Sequence, residues 1–320
     1  MRRKRNESFP IKFILNYIDN HIIYYFCAKR KGVFKIFPDI KEISEKYYKI
    51  SPTDISLKDT FECGQCFRFN DDGNGYTGVA RKKAVRFIQG DGCIYIKGAD
   101  RADIENIWLD YLSLDKDYSD AVKRFENDEY IKTASEFGKG IRILRQEPCE
   151  TTISFIISSN NNIKRIKKII EHFCALFGEE ISFEGKTLYT FPTGDELKKI
   201  TTEALAPIRA GFRDKYIYDA ARKIVSGEID FDKISLLTTD EARKELMKIK
   251  GVGEKVADCI LLFGFDRGEA FPKDVWIKRV MRNIYGERFD EKLFGKDAGI
   301  IQQWMFNYAR LNPDKFTNTD

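Results

Sequence analysis

Histidine is almost missing from this 320-residue chain: only His21 and His172 are present, which argues against histidine-based hydrolysis or a histidine-bound zinc. Cysteine is present but unframed. Seven cysteines, an odd number scattered along a long chain, exclude a disulfide scaffold and point to free thiols in a reducing compartment. Cys63 and Cys66 have C-x-x-C spacing, but no second pair follows at zinc spacing, and neither metal nor redox chemistry is expected of them. Long apolar runs are lacking too. The richest early stretch, residues 11–27, is interrupted by Asn16, Asp19, Asn20 and His21; it is too short and too polar for a membrane span and a poor signal peptide. Charge of one sign is not in excess. Fifty-five basic against fifty acidic residues leave +5, so any contact with a polyanion must be a local patch. Internal repeats and low-complexity segments are absent.

What is there divides into an α+β chain of two domains behind an extension. Residues 1–50, opening on the basic run Met1–Arg5, are expected to be an accessory extension; a nucleic-acid arm, a targeting signal and sequence upstream of the true start all fit the run. From 51 to 145 short alternating segments and turn clusters predict a small antiparallel lobe. Phe61 to Phe69 alternates like a strand, Asp71–Gly75 is a turn cluster, and strands follow at 76–80, 84–88 and 93–96, with a covering helix near 103–113. From 146 to 316 the helical period dominates, with helices predicted at 148–158, 163–177, 214–226, 239–249, 254–265, 274–284 and 298–310, among others.

The most informative stretch is Gly251-Val-Gly-Glu-Lys-Val256, followed by Pro272-Lys-Asp274. The run from Leu246 to Gly253 reads as helix end, tight turn, helix start. Gly251 and Gly253 permit positive φ and leave backbone N–H groups uncovered, a setting that suits a phosphate. Lys255 then falls in the first turn of an apolar helix, where a cation is disfavoured by the helix dipole. Two explanations are open: a surface pair with Asp258 three residues on, or an amine placed there to act as a nucleophile. A helix over 254–265 is roughly 17 Å long, and the eight residues that follow can span about 26 Å when extended. The chain can therefore return and set Asp274 near Lys255. Asp274 also suits the N-cap of the next helix.

These stretches, together with Glu62-Cys-Gly64-Gln-Cys-Phe-Arg68, Phe155 to Arg165 through three successive asparagines, Gly211-Phe-Arg213 and Gln302 to Phe306, occur in the order expected of the 8-oxoguanine DNA glycosylase branch of the helix–hairpin–helix glycosylases, which the chain resembles from about 50 to 312. The resemblance implies a helix–hairpin–helix glycosylase fold with an antiparallel N-terminal lobe, and the activity of a bifunctional DNA glycosylase/AP lyase. It makes Lys255 the nucleophile that forms a Schiff base and Asp274 the carboxylate that stabilises charge on the sugar. Gly64 would accept the N7–H of 8-oxoguanine through its carbonyl, Gln302 would read the Watson–Crick edge, and Phe306 and Cys259 would face the two sides of the base. Asn160, Arg165 and Arg213 would hold the orphan cytosine, with Phe212 as the wedge where tyrosine is frequent; Gly251 and Gly253 would grip the strand. Trp276 stands where histidine is common.

No cofactor is expected to be required. A structural monovalent cation on the carbonyls of Met247, Ile249 and Val252 is implied by the family, and no four-cysteine cluster follows Asp274. Damaged double-stranded DNA is the expected partner, with no membrane and no small-molecule cofactor. The protein is expected to be monomeric and to act in the cytoplasm, or in the nucleus of a eukaryote. Two alternatives remain at this point: a glycosylase for another damaged purine, and a non-catalytic DNA-binding repair scaffold.

Overall fold

A computed structural model describes residues 38–316, together with the strands Ile14–Ile18, His21–Tyr25, Cys27–Arg30 and Val33–Ile36. The basic run Met1–Arg5 lies outside the described residues. The N-terminal lobe is a six-stranded antiparallel sheet in the order Asp39–Ser44, Tyr47–Ser51, Cys93–Lys97, Lys83–Gly90, Tyr76–Ala80, Asn70–Asp71. Its first two strands draw on residues 39–51, so the lobe begins inside the 1–50 stretch expected to be an extension rather than at 51. Tyr47–Ser51 does alternate, with Tyr48 and Ile50 buried, but Asp39–Ser44 is an edge strand exposed at all but one position and carries little hydrophobic signal.

The segment read as a strand over 61–69 is not one. Residues Leu57–Glu62 form a short helix, α1, capped by Ser56, whose hydroxyl accepts from the Asp59 amide at 3.2 Å. The apparent alternation has another origin. Phe61, Cys66 and Phe69 enter the core of the sheet lobe, whereas Cys63 and Phe67 enter the core of the helical domain. A segment lying between two cores mimics a strand buried on one face. In the lobe, Phe61 stacks on Phe69 at 4.5 Å and Phe87 meets Trp108 edge-on at 5.5 Å.

The helical domain contains α2 (Pro148–Ser158), α3 (Ile163–Phe177), α4 (Asp214–Ser226), α5 (Thr239–Leu246), α6 (Glu254–Gly264), α7 (Val275–Val280) and α8 (Ala298–Leu311). A hairpin of Glu180–Phe183 and Lys186–Tyr189, not expected from the sequence, follows α3. The three asparagines do break the chain between helices: Asn160 is left-handed (φ +49), Asn161 donates to the Ile157 carbonyl at 3.1 Å, and Asn162 caps α3. Helices α2 and α6 form the centre of the domain. Phe155 and Phe263 stack at 5.4 Å and 13°, and a Cβ on Gly264 would meet the Pro148 Cα at 3.2 Å.

Two buried glutamines tie the domains, Gln65 within the first and Gln146 across to the second. Gln65 is fully buried; its Nε2 donates to the carbonyls of Thr60 and Arg142, each at 2.8 Å, and its Oε1 accepts from the Leu144 amide at 2.9 Å. Gln146 then donates to the Gln65 carbonyl from its side chain and to the Phe263 carbonyl of α6 from its backbone, both at 2.8 Å. The Gly64 turn is thereby fixed relative to α6. Replacing Gln65 by Leu strands two buried backbone groups, the Arg142 carbonyl and the Leu144 amide, and leaves the Thr60 carbonyl only the Cys63 thiol at 3.4 Å. We expect a loss of on the order of 3 kcal/mol in denaturant unfolding; a loss below about 1 kcal/mol would mean that these groups find other partners.

Candidate functional site

The hairpin between α5 and α6 is shaped by packing below and left open above. Val252 and Ile249 are buried, and the Val252 amide donates to the Ile249 carbonyl at 3.1 Å. Gly251 has φ +84, and a Cβ there would lie 2.5 Å from the Tyr216 ring. Helix α4 braces the turn: Asp219 accepts from the Lys250 amide at 2.8 Å, and Lys223 donates to the Lys248 carbonyl at 2.5 Å. Gly253 is the exposed N-cap of α6, and no side chain caps that helix. Its first amides therefore face outward together with the hairpin, an arrangement suited to a phosphate. The carbonyls of Met247 and Val252 accept no backbone hydrogen bond among the described residues. They are chemically suited to a monovalent cation, as is the second lone pair of Ile249.

Lys255 is half-buried in the first turn of α6, its Nζ 5.4 Å from the centroid of the Phe155 ring. It forms no ion pair among the described residues. The surface pairing with Asp258, one of the two readings open from the sequence, is absent among the described residues: Asp258 accepts from Arg243 Nε at 2.7 Å. Burial nevertheless raises the Asp258 pKa, with the Arg243 bond opposing. Cys259, one turn on, is buried; burial pushes its thiol up to about 11, against the charge of Lys255 and a hydrogen bond with it.

Asp274 is half-buried at the N-terminus of α7, where its Oδ1 accepts from the amides of Trp276 and Ile277 at 3.0 and 2.9 Å. It is thus the N-cap that the sequence suggested. Burial raises its pKa, opposed by the Ile277 amide and by the nearby charge of Lys255. The two groups sense each other without forming an ion pair. A cleft of about 960 Å³ opens beside Lys255, lined also by Arg243, Glu254, Phe271, Lys273 and Lys278.

Gly64 does not sit in a strand bulge. It follows α1 in a turn with φ +78, and a Cβ on it would lie 3.5 Å from Phe306 of α8. The structure therefore brings Gly64 and Phe306 together from opposite ends of the chain. Gln302, one helical turn before Phe306, is buried and donates to the Pro272 carbonyl at 3.2 Å, two residues before Asp274. Burial pushes the Cys63 thiol up to about 12 and raises that of Cys66 further. Both are neutral buried thiols, and no group of three or more histidine, cysteine, aspartate or glutamate side chains suited to a metal ion occurs among the described residues.

The remaining residues gather at the break between α2 and α3. Asn160 and Arg165 are exposed, and Arg165 donates to the Arg209 carbonyl at 3.3 Å. Phe212 is 52% exposed and lies under the Arg213 guanidinium, 4.3 Å from centroid to Cζ. Arg213 itself is buried. Its Nε and both terminal nitrogens donate to the carbonyls of Ser159, Asn160 and Ala210. Four of its five N–H groups are so engaged, and it holds the turn carrying Asn160 rather than pointing outward. Burial and the charge of Arg165 both lower its pKa. Trp276 stacks with Arg279 at 4.7 Å. Sequence reasoning missed the Phe155 platform and the Arg243–Asp258 pair. Only the dense apolar pattern of α2 hinted at the first.

Comparison with known proteins agrees with this layout. The family described as 8-oxoguanine DNA glycosylase, N-terminal domain, matches residues 47–152, and the HhH-GPD superfamily of base excision DNA repair proteins matches 153–294. A probable N-glycosylase/DNA lyase of Methanothermobacter thermautotrophicus is 33% identical over 215 residues, 58% of this chain and 69% of that one. The N-glycosylase/DNA lyase OGG1 of Arabidopsis thaliana is 28% identical over 297 residues, 88% and 79% respectively. The crystal structure of Clostridium acetobutylicum 8-oxoguanine glycosylase/lyase, in complex with double-stranded DNA containing cytosine opposite 8-oxoG, superposes with a TM-score of 0.81 at 36% identity, covering 87% of this chain and 99% of that one.

The two hairpin glycines should respond differently to substitution. Gly251→Ala forces a left-handed Cβ into the Tyr216 ring and should cost about 2 kcal/mol. Gly253 has φ −95 and open space around the added atom, so Gly253→Ala should cost less than about 1 kcal/mol. Denaturant unfolding of both variants checks this; equal losses would contradict the packing described.

Proposed function

We propose, for a chain that belongs to the 8-oxoguanine DNA glycosylase family of helix–hairpin–helix base excision repair proteins, that it excises 8-oxoguanine from duplex DNA and cleaves the resulting abasic strand through Lys255. The observation that carries the reading is an amine without a carboxylate partner, set over an aromatic ring at an uncapped helix start. Its obvious partner, Asp258, is held by Arg243.

The chemistry follows from the residues. The hairpin amides and the first turn of α6 bind a phosphate of the lesion strand. The target nucleotide rotates out of the stack, a step that costs a few kcal/mol. The uncharged Lys255 amine attacks the anomeric carbon as the bond to the base breaks, and the base leaves with the bonding electrons. Asp274, as carboxylate, stabilises the positive charge that builds on the sugar. Loss of a proton from nitrogen and opening of the sugar ring give the Schiff base, after which removal of a C2′ proton expels the 3′ phosphate. Gly64 offers its carbonyl to N7–H of 8-oxoguanine; guanine has only a lone pair at N7 and is repelled, the kind of polar mismatch that discriminates strongly. Phe306 and Cys259 flank the base. Met247, Ile249 and Val252 would hold a monovalent cation that steadies the hairpin. The protein acts on damaged DNA as a monomer, in the cytoplasm or, in a eukaryote, the nucleus; no helix among the described residues is long and apolar enough to cross a membrane.

Asn160, Arg165 and the turn held by Arg213 meet the base left behind, and cytosine offers acceptors where adenine offers a donor. Single-turnover excision of 8-oxoguanine opposite cytosine should be faster than opposite adenine by about 1–3 kcal/mol in barrier, the scale of a good base contact. Arg165→Ala should narrow the gap more than it slows cutting opposite cytosine. Equal rates on both duplexes would defeat the orphan-base reading. Failure to release 8-oxoguanine from either would defeat the substrate assignment.

A further inference from the structure

Helix α8 carries more polarity in its buried face than the reaction above uses. Gln303 is 4% exposed and Asn307 1% exposed. Gln303 Nε2 donates to Gln302 Oε1 at 2.8 Å, and Gln302 Nε2 donates onward to the Pro272 carbonyl. At the other end, Arg310 donates to Asn307 Oδ1 at 3.2 Å and to the Glu62 carbonyl at 3.0 Å. Between these halves stand two buried atoms without partners: Gln303 Oε1, an acceptor, and Asn307 Nδ2, a donor. They belong to residues four apart on one helix, which share a face. An orphaned buried polar atom costs about 1–3 kcal/mol; these two form no hydrogen bond with each other, so the Arg310–Asn307 half is not joined to the Gln303–Gln302 half.

We propose that Gln303 is a positioning residue: the head of a directed polar relay, from Gln303 through Gln302 to the Pro272 carbonyl, that sets which way round the Gln302 amide faces. Both links run in one sense: Gln302 accepts from Gln303 and donates to the Pro272 carbonyl. An amide can sit in two orientations of nearly the same shape, and only its hydrogen-bond network distinguishes them. The relay leaves Gln302 no choice: its nitrogen faces Pro272 and its oxygen faces Gln303. This rests on the reading of Gln302 as the residue that meets the flipped base. The Watson–Crick edge of 8-oxoguanine has donors at N1 and N2 and an acceptor at O6, so a reversed amide would set donor against donor. The Pro272 anchor sits two residues before Asp274, so the relay joins the edge reader to the segment that carries that carboxylate.

The test uses the full chain and one duplex in two forms: 8-oxoguanine opposite cytosine, and a preformed abasic site at the same position. Gln303→Glu keeps the shape but replaces the donor toward Gln302 with an acceptor. Excision of 8-oxoguanine should fall by at least about tenfold, as expected when a buried hydrogen bond is inverted. Cleavage of the abasic site, which has no base to read, should stay within about twofold of the unmodified protein, since relay residues touch neither Lys255 nor Asp274. Gln303→Met, which keeps the volume without the polar link, should show a smaller loss of the same selective kind and serves if the glutamate variant folds poorly. Unchanged excision in both variants, or a parallel loss of both activities, overturns the relay while leaving the substrate reading intact. No release of 8-oxoguanine by the unmodified protein overturns the substrate reading and the relay with it.

Discussion

The ion pair between Arg243 and Asp258 is the constraint on which the start of α6 depends. Asp258 is nearly buried, and an unpaired carboxylate there would be costly. A guanidinium from α5 meets it at 2.7 Å and also reaches Asp240. Had Asp258 paired with Lys255 three residues earlier, the amine would be held as a cation by its own helix. With Asp258 occupied from outside, Lys255 is left against Phe155 and Cys259, with Asp274 the carboxylate that acts on it from a distance. The hairpin is stabilised by one set of contacts, and the amine is kept out of them.

The second requirement is that two domains build one slot. Gly64 comes from the turn after α1 and Phe306 from the last long helix, so close that a Cβ added to Gly64 would touch the Phe306 ring. Neither domain has both. Gln65 holds the turn from beneath through buried backbone groups of 142–146, and Arg310 holds it from α8 through the Glu62 carbonyl. Through Gln146 the same network reaches the Phe263 carbonyl near the end of α6, so the turn and the Lys255 helix share a frame.

Much of this was legible in the sequence, for local reasons. Helices α3 and α4 are legible because each is apolar on one side, and α2 because it is apolar nearly throughout; α6 and α8 end within a residue of the predicted bounds, whereas α7 stops at Val280, four residues short of the predicted 284, where a wider helical turn, Met281–Tyr285, takes over. Lys255 and Asp274 could be singled out because their placement depends on nearby glycines, a cap and the length of one loop. What failed was non-local. Residues 61–69 alternate because two cores claim alternate side chains, a pattern indistinguishable in one dimension from a strand. The edge strand Asp39–Ser44 has too few buried positions to signal itself. Arg213 reads as an outward donor until the fold turns its guanidinium onto Ser159 and Asn160. The polar face of α8 was invisible for the same reason: Gln303 and Asn307 look like solvent residues until the fold buries them. The family resemblance supplied the roles of Gly64, Gln302 and Phe306; residue chemistry alone favoured plainer readings of each.

The account stands or falls on which amine reacts. Lys273 lines the same cleft as Lys255, but its ammonium is held by Glu291. Reduction with borohydride during reaction with an 8-oxoguanine duplex, followed by peptide mapping of the protein–DNA adduct, reads the answer directly. The account predicts a single adduct on Lys255 and none with Lys255→Gln, while that variant still binds the duplex. An adduct on Lys273, or one of undiminished yield in Lys255→Gln, would contradict it.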